Sequence, residues 1–197
     1  MTLILASASA SRRAMLDAAG VRYEAIPADI DEAGIKDQMR EAGAGPNEIA
    51  LALAQAKAVA ISANHHGRLV LGSDSLVSVD TLFYDKPRSR DDAAAHLRHF
   101  SGKKMRLDSA IAFARDGAVV AGQCDTASLA TRLLSEAFIA AYLDTEWPAI
   151  AGCVGCFRIE GRGVHLFESI DGSHFTVLGM PLLSVLSYLR SAGILTA

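Results

Sequence analysis

The chain predicts an α/β fold on a mixed sheet, and three observations carry that expectation. Strand-like and helix-like stretches alternate through its first half, and the apolar run Leu69-Val70-Leu71 has the character of a buried central strand. Two longer strand-like stretches, 103–113 and 118–133, then follow one another across a turn at Arg115-Asp116-Gly117. Alternation gives parallel neighbours and the consecutive pair adds antiparallel ones. The 197 residues suffice for one sizeable domain, or for two lobes around one cleft. No internal repeat, low-complexity tract or linker divides them.

Taken in order, Leu3-Ile4-Leu5 reads as the end of a strand, followed by serines at 7, 9 and 11. Arg12-Arg13 then begin a helix that runs through Ala14–Ala19 and stops at Gly20. Residues 21–27 alternate like a short strand, and 28–32 extend that pattern, with Asp29 and Asp31 on one side and Ile30 and Glu32 on the other. Asn47 is placed to cap a helix from Glu48 to about Ala63 that carries one cation, Lys57, at its middle. The central strand ends in Gly72-Ser73-Asp74, after which apolar residues resume; Asp85-Lys86-Pro87 closes a hairpin-like segment. Further helices are expected over 91–100, from Ser135, and from Pro181 to about Ala192, with a turn at Gly161–Gly163 leading into a strand over 164–170.

Composition excludes several classes. No window is long and apolar enough for a membrane span, and the N-terminal arginines follow the apolar run rather than preceding it, unlike a secretory signal. A soluble, cytoplasmic chain is expected. The formal net charge of −3 argues against a general nucleic-acid surface, so an anion bound by the local basic residues should be small. Cys124, Cys153 and Cys156 are an odd set; Cys153-Val154-Gly155-Cys156 has zinc-like spacing but no second pair completes four ligands. Buried, reduced and inert thiols are the simpler reading.

Two stretches carry chemistry. A strand, a small-residue turn and a helix start bring free backbone N–H groups and the helix dipole to one point, and adjacent arginines add forked donors for phosphate oxygens. That makes 5–13 a polyphosphate cradle or, more plainly, a capped surface helix with a basic first turn. Asp74 interrupts an apolar strand pattern, where a carboxylate is costly unless paired or holding a cation. It is either a catalytic group at a strand end or a turn aspartate bonding its own backbone. Lys57 alone reads as a solvated or snorkelling side chain.

The motifs Leu5–Arg13, Asp31-Glu32, Gly72–Asp74, Lys86-Pro87, Glu160–Gly163 and Gly179–Leu182 fall in an order and spacing that resembles the Maf family of nucleoside triphosphate pyrophosphatases over essentially the whole chain. The resemblance implies an elongated, two-lobed fold with a strongly twisted mixed sheet and a central cleft, residues 1–197 forming one such domain, often as a homodimer. It implies hydrolysis of a nucleoside triphosphate to the monophosphate and pyrophosphate with a divalent metal, Mg²⁺ or Mn²⁺. On this basis Asp74 activates water and, with Glu32, holds the metal through oxygen ligands. Ser7, Ser9, Arg12, Arg13, Lys57 and Lys86 are expected to meet the phosphates.

Base choice is expected at Ser11, Ser75 and Glu160. Relatives acting on dTTP and UTP resemble one another in carrying arginine, threonine and glutamine there; those acting on 7-methyl-GTP carry an aromatic, glutamine and glutamate. Glu160 matches the second group, and a carboxylate, being acceptor-only, suits the adjacent N–H donors of guanine better than a pyrimidine edge. Ser11, Ser75, Ala10 and Leu107-Asp108-Ser109 depart from the family pattern, and two serines leave a roomier pocket, so 7-methyl-GTP or another modified nucleotide is the expected substrate. The competing expectations are dTTP/UTP hydrolysis and a nucleotide-binding regulator of cell division without turnover.

Overall fold

A computed structural model describes residues 2–196; the expected domain of 1–197 runs one residue beyond these at each end. Seven strands form one mixed sheet in the order β2-β1-β3-β5-β6-β7, with β4 pairing β3. These are β1 (Leu3–Leu5), β2 (Tyr23–Ala25), β3 (Val70–Val79), β4 (Leu82–Tyr84), β5 (Lys104–Arg115), β6 (Ala118–Thr131) and β7 (Phe167–Asp171). β1 is parallel to β2 and β3, whereas β3–β4 and β6–β7 are antiparallel, so the mixed α/β sheet expected from the sequence is present. The helices are α1 (Ala10–Ala18), α2 (Glu32–Glu41), α3 (Pro46–Ser62), α4 (Arg90–Phe100), α5 (Glu136–Glu146), α6 (His174–Val177) and α7 (Leu182–Ser191).

The chain divides into two compact units, the first comprising Met1–Ser75, Asp108–Asp125 and His174–Ala197, the second Leu76–Leu107 and Thr126–Ser173. The first unit closes over an apolar core of Leu3, Leu5, Leu16, Leu71, Phe113 and Leu189 among others, with Phe113 stacked on Tyr188 at 4.1 Å between centroids. Burying one such leucine removes enough apolar area to contribute about 1.5–3 kcal/mol. In the second unit α4 packs on α5, Leu97, Phe100, Met105, Ile139 and Leu143 are buried, and Phe157 meets Phe167 edge to face.

Several boundaries differ from the sequence expectation for identifiable reasons. α1 begins at Ala10, because Ser9 rather than the arginines marks its start: the Ser9 hydroxyl accepts from the Arg12 N–H. Residues 28–32 do not continue a strand. Asp31 instead caps α2, accepting from Gly34 N–H at 2.9 Å, and this places Glu32 in the first helical turn. Gly45, not Asn47, caps α3, with the Glu48 carboxylate accepting its N–H at 2.7 Å. β3 does not stop at Gly72-Ser73-Asp74 but runs on to Val79, which puts Asp74 in mid-strand rather than at a strand end. Residues 162–166 form a 3-10 turn, so the following strand starts at Phe167.

Candidate active site

The sequence packs α3 unusually tightly against β3. Gly72 makes this possible, since a Cβ there would lie 2.1 Å from the Ala54 carbonyl and 2.8 Å from the Ala58 nitrogen. Lys57 projects from the same buried stripe of α3 as Leu53, Ala54 and Ala58. Its ammonium donates to Asp74 Oδ1 at 2.5 Å and lies 2.7 Å from Glu32 Oε1. Lys57 and Asp74 are both buried, and Glu32 is half-buried. A buried carboxylate in mid-strand is costly unless paired, and here it is paired. The three residues singled out on separate motifs therefore form one cluster.

The opening turn lies in the same unit. Ser7 Oγ accepts the Ser9 N–H at 3.2 Å, Ser9 caps α1, and Ser11 Oγ donates to the Leu178 carbonyl at 3.0 Å. Behind them α1 presents its helix N-terminus, where the Ser9 hydroxyl takes one first-turn N–H group, that of Arg12. The two arginines, treated alike in the sequence reading, separate here. Arg13 is exposed, with its guanidinium 3.4 Å from the Ala8 carbonyl. Arg12 is buried and donates to the Gly179 and Ser73 carbonyls and to the hydroxyls of Ser7 and Ser75. Burial pulls its pKa below the ordinary arginine value, and the negative charges of Asp74 and Glu32 act in the opposite direction.

Ser75 is likewise committed to the protein. Its hydroxyl lies 3.0 Å from the Gly179 carbonyl and 2.9 Å from Ser109 Oγ, and Ser109 in turn donates to the Thr176 carbonyl at 2.8 Å. Two departures from the family pattern thus touch one another. Ser73, Ser109 and the Gly179 carbonyl were absent from the expected site. Ser73 Oγ also reaches that carbonyl, at 3.3 Å. These contacts join positions far apart in sequence, and no local pattern announces them.

The remaining expected residues, Lys86 and Glu160, belong to the second unit, and both are exposed. Each acts electrostatically on Cys153, whose thiol pKa is raised first by burial and then by Glu160, with Arg158 and Lys86 opposing. The turn that carries Glu160 is fixed by Gly163, where a Cβ would lie 2.4 Å from the Arg158 carbonyl. Glu146, beneath it, is buried and paired with Arg158 at 2.9 Å. Cys156 is buried, and its thiol is pushed up to about 12, so the pair reads as reduced, protonated thiols.

Among the described residues no group of three or more His, Cys, Asp or Glu is placed to hold a metal ion. Glu32 and Asp74 offer carboxylate oxygens on either side of one ammonium. This donor set suits a hard cation that completes its coordination with substrate phosphates and water, as Mg²⁺ commonly does.

Fold and site together define an α/β protein that carries a serine-capped helix start and a lysine–carboxylate cluster in one unit. A Maf-like protein family model matches residues 2–192, and the chain belongs to that family. It is 45% identical over 189 residues to a nucleoside triphosphate pyrophosphatase of Bradyrhizobium diazoefficiens, covering 96% of this chain and 93% of the relative. It is 45% identical to a protein of the same name from Sphingopyxis alaskensis, covering 98% of each. A 7-methyl-GTP pyrophosphatase of Rhizobium meliloti is 44% identical, over 99% of this chain and 98% of that protein. No helix among the described residues is long and apolar enough to cross a membrane.

Proposed function

We propose that this chain hydrolyses a nucleoside triphosphate to the monophosphate and pyrophosphate, with 7-methyl-GTP as the favoured substrate. The observation that carries the reaction is the Lys57–Asp74–Glu32 cluster, built on a buried Lys57–Asp74 pair in the same unit as the α1 N-terminus. Asp74 is the group that takes a proton from the attacking water, and the Lys57 ammonium fixes the orientation of its carboxylate. The water oxygen bonds to the α-phosphorus as the bridging bond to the β-phosphate breaks. Pyrophosphate leaves with the bonding electrons, and the proton passes from Asp74 to solvent. The α1 N–H groups, Ser9 and Arg13 supply charge and donors for the phosphate oxygens. A divalent cation would be held by Glu32 and Asp74, adding charge neutralisation and a lowered pKa for bound water.

The substrate preference rests on Glu160. Its carboxylate accepts from adjacent N–H donors on a guanine-type edge, and relatives of 44% identity over nearly the whole chain are named 7-methyl-GTP pyrophosphatase. The test is pyrophosphate release by purified protein with Mg²⁺ or Mn²⁺ from 7-methyl-GTP, GTP, dTTP, UTP and CTP. The expected result is turnover led by 7-methyl-GTP and lowered about 10²-fold or more in Asp74→Asn, with nucleotide still bound. Preference for dTTP or UTP would overturn the reading of Glu160. Binding without turnover of any nucleotide would make the protein a nucleotide sensor instead.

A further inference from the structure

Arg12 is the most heavily committed side chain of the first unit. Its guanidinium makes four hydrogen bonds: Nε to the Gly179 carbonyl at 2.9 Å, Nη1 to the Ser73 carbonyl at 2.8 Å and Ser7 Oγ at 3.2 Å, and Nη2 to Ser75 Oγ at 3.1 Å. Every one of these acceptors is neutral. A guanidinium has five N–H donors, so at most one is left for a ligand. Arg12 is 9% exposed, while its neighbour Arg13 is open to solvent. A residue placed to grip phosphate would show the opposite pattern.

The sheet explains why a fork is needed there. The ladder between β1 and β3 ends at the Leu5–Leu71 pair, and the Ala6 N–H makes its last bond, to the Leu71 carbonyl, at 2.8 Å. After this the chain turns away through Ser7–Ser9 into α1. Ser73, two residues further along β3, offers its carbonyl to Arg12 in place of a neighbouring strand. Side chains alternate along a strand, so Ser73 and Ser75 share one face and Asp74 takes the other. Both serines reach the Gly179 carbonyl, on the side of Arg12, and Asp74 reaches Lys57. Arg12 therefore holds the Ser73 carbonyl and the Ser75 hydroxyl, one on each side of Asp74 in the chain, while Asp74 itself is turned to Lys57.

We infer that Arg12 is a positioning residue for Asp74 and not a phosphate ligand: it stands in for the missing strand beside Ser73 and locks the opening turn, the strand around Asp74 and the Gly179 turn to one another. This inference rests on the reading of Asp74 as the water-activating group. A lysine at this position would keep the charge but not the fork, and a single ammonium cannot serve acceptors drawn from three separate segments. Misplacement of a reacting group by about 1 Å is enough to cost roughly 10²-fold in rate.

The experiment compares Arg12→Lys, Ser75→Ala and Arg13→Gln with the wild type in two measurements. One is kcat and KM for the preferred nucleotide, and the other is calorimetric affinity for inorganic pyrophosphate in the presence of Mg²⁺. Arg12→Lys is expected to lower kcat about 10–10²-fold, with KM and pyrophosphate affinity within about twofold of wild type. Ser75→Ala removes one acceptor of the same fork and should give a smaller loss in kcat, again with pyrophosphate affinity kept. Arg13→Gln should differ in the second measurement, weakening pyrophosphate affinity well beyond about twofold and raising KM. Ser75→Ala carries the test if Arg12→Lys does not fold. Loss of pyrophosphate affinity in Arg12→Lys with kcat preserved, or a Ser75→Ala variant with wild-type kcat, overturns the inference. Absence of turnover in the wild type instead overturns the catalytic reading on which it depends, so the two failures are told apart.

Discussion

The two units of the chain use charge in opposite ways. In the first, Arg12, Lys57 and Asp74 are buried, and each is bonded to groups supplied by distant segments. In the second, the ion pairs Arg98–Glu136, Arg90–Asp144 and Lys103–Asp80 are formed by side chains with substantial access to water. Its buried exception is Glu146, paired with Arg158. Burying ions gains little stability over an apolar replacement, because desolvation offsets the attraction. Exposed pairs cost little and contribute little. A fold that needed only to stand up would keep its charges outside. The first unit keeps some pairs at its surface, such as Arg68–Glu24, but it also buries Arg12, Lys57, Asp74 and Asp108, and three of these four belong to the proposed site.

The largest expected effect breaks that buried cluster. Lys57→Met removes the ammonium between Asp74 and Glu32 and leaves two carboxylates facing one another with no cation between them. Breaking one side of a buried pair typically costs about 3–5 kcal/mol, so the melting temperature should fall by many degrees and turnover should be lost. The double variant Lys57→Met, Asp74→Asn should recover much of the stability and none of the activity. A Lys57→Met protein as stable as wild type by calorimetry would show that the cluster is not held by charge.

The sequence displayed the parts of this site more readily than their arrangement. The strand–turn–helix at the start and the apolar run before Asp74 were legible because both are local patterns, and the need for Asp74 to find a partner followed from desolvation alone. That β3 continues through Asp74 was less visible, since Gly72, Ser73 and Ser75 dilute the apolar run although all of 70–79 except Ser75 is buried. α2 escaped the reading because it buries no residue fully and contains Gly34, and its apolar stripe is only Ile35 and Met39, half-buried at a spacing of four; Asp31, placed to cap it, is its other local signal. The distinction between the arginines was available: Arg12 shares a helical stripe with Met15 and Leu16, at spacings of three and four, and those are the buried residues of α1. The hydroxyl contacts among Ser75, Ser109 and the 176–179 carbonyls lie beyond any sequence pattern. Lys86 and Glu160 rest on resemblance, not on local chemistry.

A second prediction asks whether the burial depends on backbone approach as much as on charge. A methyl group at Gly72 would collide with the Ala54 carbonyl and the Ala58 nitrogen, which are backbone atoms on the turns of α3 around Lys57. Neither can swing aside as a flexible side chain would. Gly72→Ala should therefore push α3 outward, at a cost of about 1–3 kcal/mol or somewhat more, as for other overpacked sites. The lysine that pairs with Asp74 rides on the displaced helix, so kcat should fall as well. Denaturant unfolding and steady-state kinetics check the two parts. Loss of stability with wild-type kcat would mean that Lys57 tolerates the shift, and that the close approach serves packing alone.

The smallest effect is expected where the geometry looks most favourable. Arg98 donates from Nε and Nη2 to both oxygens of Glu136 at 2.9–3.1 Å, the forked arrangement usually credited with strength. The hydrogen bond holds the Glu136 carboxyl below its ordinary pKa and raises that of Arg98. The sign follows: a carboxylate whose pKa is lowered by folding stabilises above its unfolded pKa and loses that contribution as pH falls through the lowered one. Yet the side chains are 53% and 70% exposed, and water and salt screen what the fork gains. Arg98→Ala should therefore melt with the wild type at neutral pH in about 0.15 M salt, with a small gap opening only at low ionic strength. A drop of several degrees at that salt concentration would remove the contrast between the units. It would make the surface pairs of the second unit as structural as the buried charges of the first.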